Sequence, residues 1–68
     1  MPIKSRFATG DKVKIVISTQ SREEAPDSKL LKESQGKIGK VTYWNNEFVY
    51  VEINNHEYAF YPRDLRIL

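Results

Sequence analysis

The first clear pattern along the chain is an alternation of apolar and polar residues that follows Gly10. The apolar residues that recur at every second position are Val13, Ile15 and Ile17. Side chains two positions apart lie on the same face of a β-strand, so residues 12–17 are predicted to form a half-buried strand. Lys12 and Lys14 then face solvent.

The alternation stops in residues 18–35, where Ser, Gln, Arg and Glu predominate. This segment is predicted to be a long first loop that either lacks regular structure or holds one short helical turn. Asp27 or Ser28 could cap such a turn, because their side-chain oxygens can accept a hydrogen bond from a backbone N–H. Leu30 and Leu31 would then cover one end of the core.

Two strand-like segments, 48–53 and 56–61, flank the pair Asn54-Asn55. Asparagine tolerates positive φ, so the pair predicts a two-residue hairpin turn that places Ile53 opposite His56. The face set by this register is mostly apolar and comprises Val49, Val51, Ile53, His56, Tyr58 and Phe60. The other face pairs Phe48 with Tyr61, Tyr50 with Ala59 and Glu52 with Glu57.

The second predicted strand, residues 36–44, ends at another asparagine pair. Val41 and Tyr43 are predicted to share the core face, which requires a three-residue turn over 44–46 with a bulge. A strict two-residue turn would instead place Trp44 beside the core.

The C-terminal segment begins with Pro62, which has no N–H to donate to a sheet and therefore ends the fourth strand. Residues 63–65 are short enough for one 3₁₀ turn, and Leu65 is expected to close one end of the core. Residues 66–68 would form the last strand. The chain is therefore predicted to be all-β, with five short strands, a long first loop and a 3₁₀ turn before the last strand.

Three short segments and the order of these elements resemble the SH3-like barrel family. Residues 10–15, Gly-Asp-Lys-Val-Lys-Ile, look like the first strand of a small accessory protein of photosystem I, the ferredoxin-thioredoxin reductase variable chain and many small bacterial proteins. Residues 36–41, Gly-x-x-Gly-x-Val, resemble the second strand of those proteins and, more loosely, the KOW motif of transcription and ribosomal proteins. Residues 60–68 are similar to the closing segment of signalling SH3 domains.

The resemblance implies a small five-stranded SH3-like barrel over residues 10–68, with residues 1–9 as an N-terminal arm that can be disordered. Family members serve as redox-partner, nucleic-acid and regulatory modules, so the fold does not select one function. The chain departs from signalling SH3 domains because no acidic, tyrosine-rich segment precedes Gly10. Binding of proline-rich peptides is therefore not carried over.

Composition limits the classes of protein to which the chain can belong. Its 68 residues support one domain with one modest core, and its lack of cysteine excludes a disulfide framework and a thiolate metal site. No apolar run is long enough for a secretion signal or a membrane span. We therefore expect a soluble cytoplasmic protein with no membrane partner.

Catalytic motifs are missing from the sequence. The single histidine, His56, is interpreted as a partly exposed strand residue, and no glycine-rich phosphate loop or serine nucleophile motif is present. Glu52 and Glu57 are interpreted as two solvated carboxylates that repel one another mildly, because no third oxygen ligand accompanies them. We expect a protein that is not an enzyme and has no metal or other cofactor.

Aromatic residues give the first functional hypothesis, a protein-binding module that acts as an adaptor or regulator. The predicted docking patch consists of Trp44, Phe48, Tyr50 and Tyr61 on the outward face and at the hairpin tip. Exposed aromatic side chains offer large rigid contact areas at low entropic cost. The alternative interpretation is that the 18–35 loop covers these rings as a second core.

Lysines give the alternative hypothesis, a KOW-type nucleic-acid-binding barrel. The predicted lysine patch consists of Lys12, Lys14, Lys37 and Lys40, which would meet if the first two strands pair. Ammonium groups that follow phosphates beside stacking aromatics suit single-stranded nucleic acid. Another protein is the favoured partner, nucleic acid is the second, and the chain is expected to be a monomer or a weak homodimer.

Overall fold

The structure, a computed structural model, describes residues 7–68 as one antiparallel sheet accompanied by two short helices. The strands are β1 (Lys12–Ile15), β2 (Ile38–Trp44), β3 (Val49–Ile53), β4 (His56–Phe60) and β5 (Leu65–Ile67). The helices are α1 (Thr19–Glu24) and α2 (Lys29–Ser34), and a 3₁₀ turn spans Pro62–Asp64. The predicted five strands and the 3₁₀ turn before the last are confirmed, but the domain is mostly β and not all-β, because the first connection contains two short helices.

The strands are ordered β4-β3-β2-β1-β5, and every neighbouring pair is antiparallel. β4 and β5 are therefore the two edges. Within residues 7–68 no strand pairing joins these edges, so the sheet is not closed. The 3₁₀ turn connects the two edge strands, β4 and β5.

The core lies on the concave face of the sheet, where one side chain in two points inward along β1 and β3. The alternation predicted for residues 12–17 is confirmed, because its three apolar residues are buried. The buried apolar residues are Phe7, Val13, Ile15, Ile17, Val41, Val49, Val51, Ile53, Phe60 and Leu65. Leu65 closes one end of the core, as predicted.

The β3–β4 hairpin has the predicted register throughout. Asn54 and Asn55 both have positive φ, 53° and 67°, which is the geometry of a two-residue turn of type I′. Ile53 consequently lies opposite His56, and every following pair alternates between the core face and the outer face. His56 is exposed, as expected.

The prediction that Tyr43 shares the core face with Val41 is wrong. The β2–β3 register shifts between Val41 and Tyr43, so a β-bulge at Thr42 moves Tyr43 to the outer face, opposite Tyr50. The same shift pairs Trp44 with the buried Val49, which places Trp44 on the core side at the end of the strand. The bulge lies within the strand and not in the turn.

The 18–35 segment contains two helices, one more than the sequence predicted. Ser18 caps α1 by accepting a hydrogen bond from the Ser21 N–H, and Ser28 caps α2 in the same way. Ser28 was one of the two caps predicted. Leu30 and Leu31 pack against the core, as expected for a helical turn that covers its end.

The N-terminal arm predicted for residues 1–9 lies, for residues 1–6, outside the described part of the chain. Phe7 is buried within the core cluster. Its neighbour Ala8 donates its N–H to the Asp11 carboxylate at 2.9 Å, and the Gly10 N–H donates to the Val41 carbonyl at 2.7 Å. These bonds connect the start of the described chain to the sheet.

Candidate binding surfaces

A groove of about 270 Å³ separates the helical segment from strand β4. The helical segment contributes Ser21, Glu24, Ala25, Ser28 and Leu31 to its lining. The sheet and the turn that follows it contribute Phe48, Ala59, Phe60, Tyr61 and Asp64. Apolar side chains from both walls therefore face one another across an opening to solvent, and the helical segment flanks Phe48 and Tyr61 without enclosing them as a second core.

Asp64 connects the two walls of the groove. Its carboxylate, on a residue that is 1% exposed, accepts hydrogen bonds from the Ser21 hydroxyl at 2.7 and 3.0 Å and from the Ser18 N–H at 2.9 Å. Its carbonyl oxygen accepts the N–H of Val16 at 2.8 Å. The 3₁₀ turn is thereby bonded to the end of β1 and to the first turn of α1, which fixes the width of the groove.

Arg63 forms a second connection between the walls. Its guanidinium lies 4.5 Å from the centre of the Tyr61 ring, and that ring is 5.1 Å from the ring of Phe48. Its Nη2 atom donates to Glu24 at 2.6 Å, and its Nε atom donates to the Ser21 hydroxyl at 3.0 Å. Two of the predicted docking aromatics are thus stacked in a row with a cation at the rim of the groove.

The ion pair between Arg63 and Glu24 at this rim lowers the pKa of the Glu24 carboxyl. The hydrogen bond from Arg63, followed by that from Gln20, holds the pKa of the Glu24 carboxyl below its ordinary value of 4.5. Because the folded pKa is the lower one, the contact favours the folded state above about pH 4.5 and is lost as the pH falls through the folded pKa. Both partners are partly or fully exposed, so the stabilisation is small.

We expect a carboxyl-carbon NMR titration to give a Glu24 pKa below 4.5. Arg63→Gln should raise that pKa towards its ordinary value, because it removes the largest cause of the shift. Gln20→Ala should raise it by a smaller amount. A Glu24 titration that is the same in the parent chain and in Arg63→Gln would contradict the observed ion pair.

The four predicted docking aromatics do not form one patch. Phe48 and Tyr61 line the groove, whereas Tyr50 lies further along the outer face with its ring 5.6 Å from that of Tyr43. Tyr43, which is 58% exposed, was not predicted as a site residue. Trp44 is 39% exposed but lies on the core side, so the bulge separates it from the other three.

The strand register also changes which residues belong to the predicted lysine patch. Lys12 lies directly opposite Lys40, and Lys14 lies opposite Arg66, so these four cations share the exposed face of β5, β1 and β2. Lys37 lies just before β2, three residues before Lys40, and its carbonyl accepts the Ile15 N–H at 2.8 Å. Its position continues the register opposite the buried Ile15, so Lys37 does not share the face of Lys12 and Lys40. Arg66 takes its place in the cluster, which we call the cationic face (Lys12, Lys14, Lys40 and Arg66).

One row across the outer face carries charge in a defined order. The residues in register from β1 to β4 are Lys12, Lys40, Glu52 and Glu57. In this row only Lys40 and Glu52 place opposite charges on register partners, while Glu57 accepts a hydrogen bond from the Thr42 hydroxyl at 2.5 Å. The row therefore ends at Glu57 on the edge strand β4, with its exposed carboxylate directed back across β3 towards Thr42.

Metal-binding clusters and membrane-spanning helices are both missing from residues 7–68. This part of the chain holds no group of three or more His, Asp or Glu side chains placed to bind a metal ion. None of its helices has the length and apolar character needed to cross a membrane. Comparisons with protein-family models, curated proteins and solved structures gave no match to this chain.

Proposed function

We propose that this protein is a non-enzymatic binding module, an adaptor or regulator, that holds a segment of another protein in the groove between the helical segment and β4. The observation that carries the proposal is the groove itself, with Phe48 and Tyr61 on one wall and Ala25 and Leu31 on the other. Aromatic side chains beside an apolar cleft are the usual anchors of protein interfaces.

The walls of this groove are held in place before any partner arrives. Asp64 and Arg63 each bond to α1, and the Tyr61 ring contacts both the Arg63 guanidinium and the Phe48 ring. A partner therefore does not have to order the helical segment when it binds, which lowers the entropic cost of association. This rigidity favours recognition of one ligand shape over adaptation to many.

We propose further that the fold is an SH3-like barrel whose sheet remains open between β4 and β5. The strand order β4-β3-β2-β1-β5, the long excursion after β1 and the 3₁₀ turn before β5 support this proposal. An open edge next to the groove is consistent with a binding role.

We expect the aromatic wall to carry binding energy. Phe48→Ser and Tyr61→Ser should each weaken binding of groove-selected peptides by about tenfold or more, because they remove stacked apolar surface. Tyr43→Ser is the matched control, since Tyr43 is an exposed aromatic on the same face outside the groove lining. The ligands would be heptapeptides selected from a random display library, and their sites would be mapped by amide shifts.

This experiment can fail in two ways. If no displayed heptapeptide binds the folded protein, the groove does not hold peptide segments. If peptides bind but shift the amides of Lys12 and Lys40 and not those of Ala59 and Tyr61, docking uses another surface.

The cationic face favours a second candidate function, the binding of single-stranded nucleic acid. Like charges directly opposite one another on neighbouring strands destabilise a sheet, and here two such pairs are adjacent, Lys12 with Lys40 and Lys14 with Arg66. A polyanion would relieve this repulsion. The exposed ring of Tyr43 offers a stacking surface on the same side of the sheet.

We expect Lys12→Gln combined with Lys40→Gln to weaken binding of a mixed-sequence single-stranded oligonucleotide while leaving the fold unchanged or slightly more stable. Lys37→Gln is the matched control, because Lys37 lies on the opposite face. Affinity should fall by one to two orders of magnitude between about 50 and 200 mM salt for three or four phosphate contacts. The absence of measurable binding at low salt would exclude this function.

A further inference from the structure

The outer edge of strand β4 pairs with no other strand in residues 7–68, and Ala59 on this strand lines the groove. In a two-residue hairpin the residues that flank the turn, here Ile53 and His56, form a hydrogen-bonded pair. Beyond this pair, residues of β4 alternate between hydrogen-bonding to β3 and pointing outward. The N–H and C=O groups of Glu57 and Ala59 therefore point away from β3. The edge is therefore able to accept one further strand.

This edge lacks three of the features by which proteins protect a sheet edge. β4 contains no lysine and no proline, and its five residues pair with β3 in unbroken register without a bulge. The other edge, β5, is only three residues long and carries Arg66 at its centre. Of the two edges, β4 is the one open to strand addition.

The groove gives an added strand a place to lie. Ala59, the smallest side chain on the outer face of β4, lines the groove together with Phe48 and Tyr61. A side chain placed opposite Ala59 would fill space that no side chain of β4 occupies. Apolar residues suit this position because Phe48 and Leu31 also line the groove.

The charge of Glu57, near the start of β4, favours one kind of residue at the position opposite it in an added strand. The row Lys12, Lys40, Glu52, Glu57 stops at β4, and the next position across the open edge belongs to the partner. Lys40 lies in register with Glu52, but among residues 7–68 no cation lies across the open edge from Glu57, whose carboxylate accepts the Thr42 hydroxyl on the side of β3. A lysine or arginine at that position would give Glu57 a cation directly opposite it, which the sheet itself does not provide.

We propose that the segment held in the groove is an extended strand that adds antiparallel to β4, with an apolar residue opposite Ala59 and, two positions later, a basic residue opposite Glu57. This inference rests on the proposed function and specifies the conformation and chemistry of the ligand. The partner is thus a protein with an exposed segment of the pattern apolar-x-basic.

The test uses the peptide acetyl-Thr-Ile-Thr-Val-Thr-Lys-Thr-amide, in which valine meets Ala59 and lysine meets Glu57. We expect its binding, measured at peptide concentrations up to about 5 mM, to slow amide hydrogen exchange at Glu57 and Ala59 by about tenfold at saturation. Replacing the peptide lysine with glutamate should weaken binding by about tenfold, because an attraction becomes a repulsion.

Backbone pairing is tested by methylating peptide nitrogens. Methyl groups on the valine and lysine nitrogens remove donors that face β4 and should abolish binding, whereas a methyl group on the threonine nitrogen between them lies on the outer side and should have little effect. Ala59→Pro should also abolish binding, because it removes an N–H that the sheet does not use. Unchanged amide signals of Val13 and Val51 would show that this variant is folded.

Three results would overturn the proposal. Binding in the groove without slower exchange at Glu57 and Ala59, or equal binding of the valine- and lysine-methylated peptide, would leave the groove as a docking site but exclude strand addition. Failure of both this peptide and every displayed heptapeptide to bind would remove the proposed function as well. Self-association that protects the Ala59 amide without peptide would assign the edge to a second copy of the chain.

Discussion

Replacing Asp64 with alanine is expected to lower the free energy of unfolding by about 3 kcal/mol. The substitution leaves the Ser18 N–H and the Ser21 hydroxyl without the carboxylate that accepts their hydrogen bonds at 2.7–3.0 Å. Both donors are at least partly buried, so water replaces the lost acceptor poorly. Chemical denaturation followed by the fluorescence of Trp44 would measure the change.

Two further variants separate this effect from a general loss of charge. Asp27→Ala removes an exposed carboxylate from the connection between α1 and α2 and should change stability by less than about 0.5 kcal/mol. Asp64→Asn keeps one oxygen for the Ser18 N–H and should cost less than Asp64→Ala. Equal stability of Asp64→Ala and Asp27→Ala would mean that the bonds from Asp64 do not hold the helical segment in place.

Replacing Gly39 with alanine is expected to destabilise the fold by about 2–3 kcal/mol. A Cβ atom at this position would lie 2.8 Å from the carbonyl oxygen of Glu52, and closer still to a methyl group of Val51. Because one of these neighbours is backbone, β2 and β3 would have to move apart. Thermal and chemical unfolding would give the loss of stability.

The control for this variant is Gly36→Ala. Gly36 has a φ of +82° but nothing within 4 Å of its missing Cβ, so alanine there causes backbone strain of about 1 kcal/mol and no clash. Val51→Ala in the Gly39→Ala background should recover part of the loss, and a double-mutant cycle would show this coupling. A cost at Gly39 no greater than that at Gly36 would contradict the close approach of the two strands.

The two candidate surfaces are separate on the molecule, which makes their tests independent. The groove borders β4 at one edge of the sheet, and the cationic face covers β5, β1 and the start of β2 at the other. A variant such as Phe48→Ser should therefore leave oligonucleotide binding unchanged, and Lys12→Gln should leave peptide binding unchanged.

Several features of the protein could be predicted from local sequence alone. Asn54 and Asn55 determine a two-residue turn, and that turn determines the register of every β3–β4 pair, because few residues other than glycine adopt positive φ at low cost. The alternation after Gly10 in the same way predicted the buried face of β1. These predictions held because each depends on residues that are neighbours in the chain or across one turn.

The make-up of each surface was decided by tertiary structure. The bulge between Val41 and Tyr43 exchanged the faces of Tyr43 and Trp44, and the pairing of β1 with β5 brought Arg66 to Lys14. The alternation of β2 by itself could have shown that Lys37 and Lys40 lie on different faces. The bulge gave no signal of its own, because one extra residue in a strand leaves composition and propensity unchanged.

The groove depended still more on contacts between distant parts of the chain. Ser18 ahead of residues 19–24 could have indicated a capped helix. No local pattern could show that the Asp64 carboxylate would be buried against Ser21, which is 43 positions away in sequence. By itself the sequence determined the strands, the hairpin turn and the inward face. The walls of the groove and the open edge of β4 were decided only by the tertiary structure, because burial and long-range hydrogen bonds depend on the whole fold.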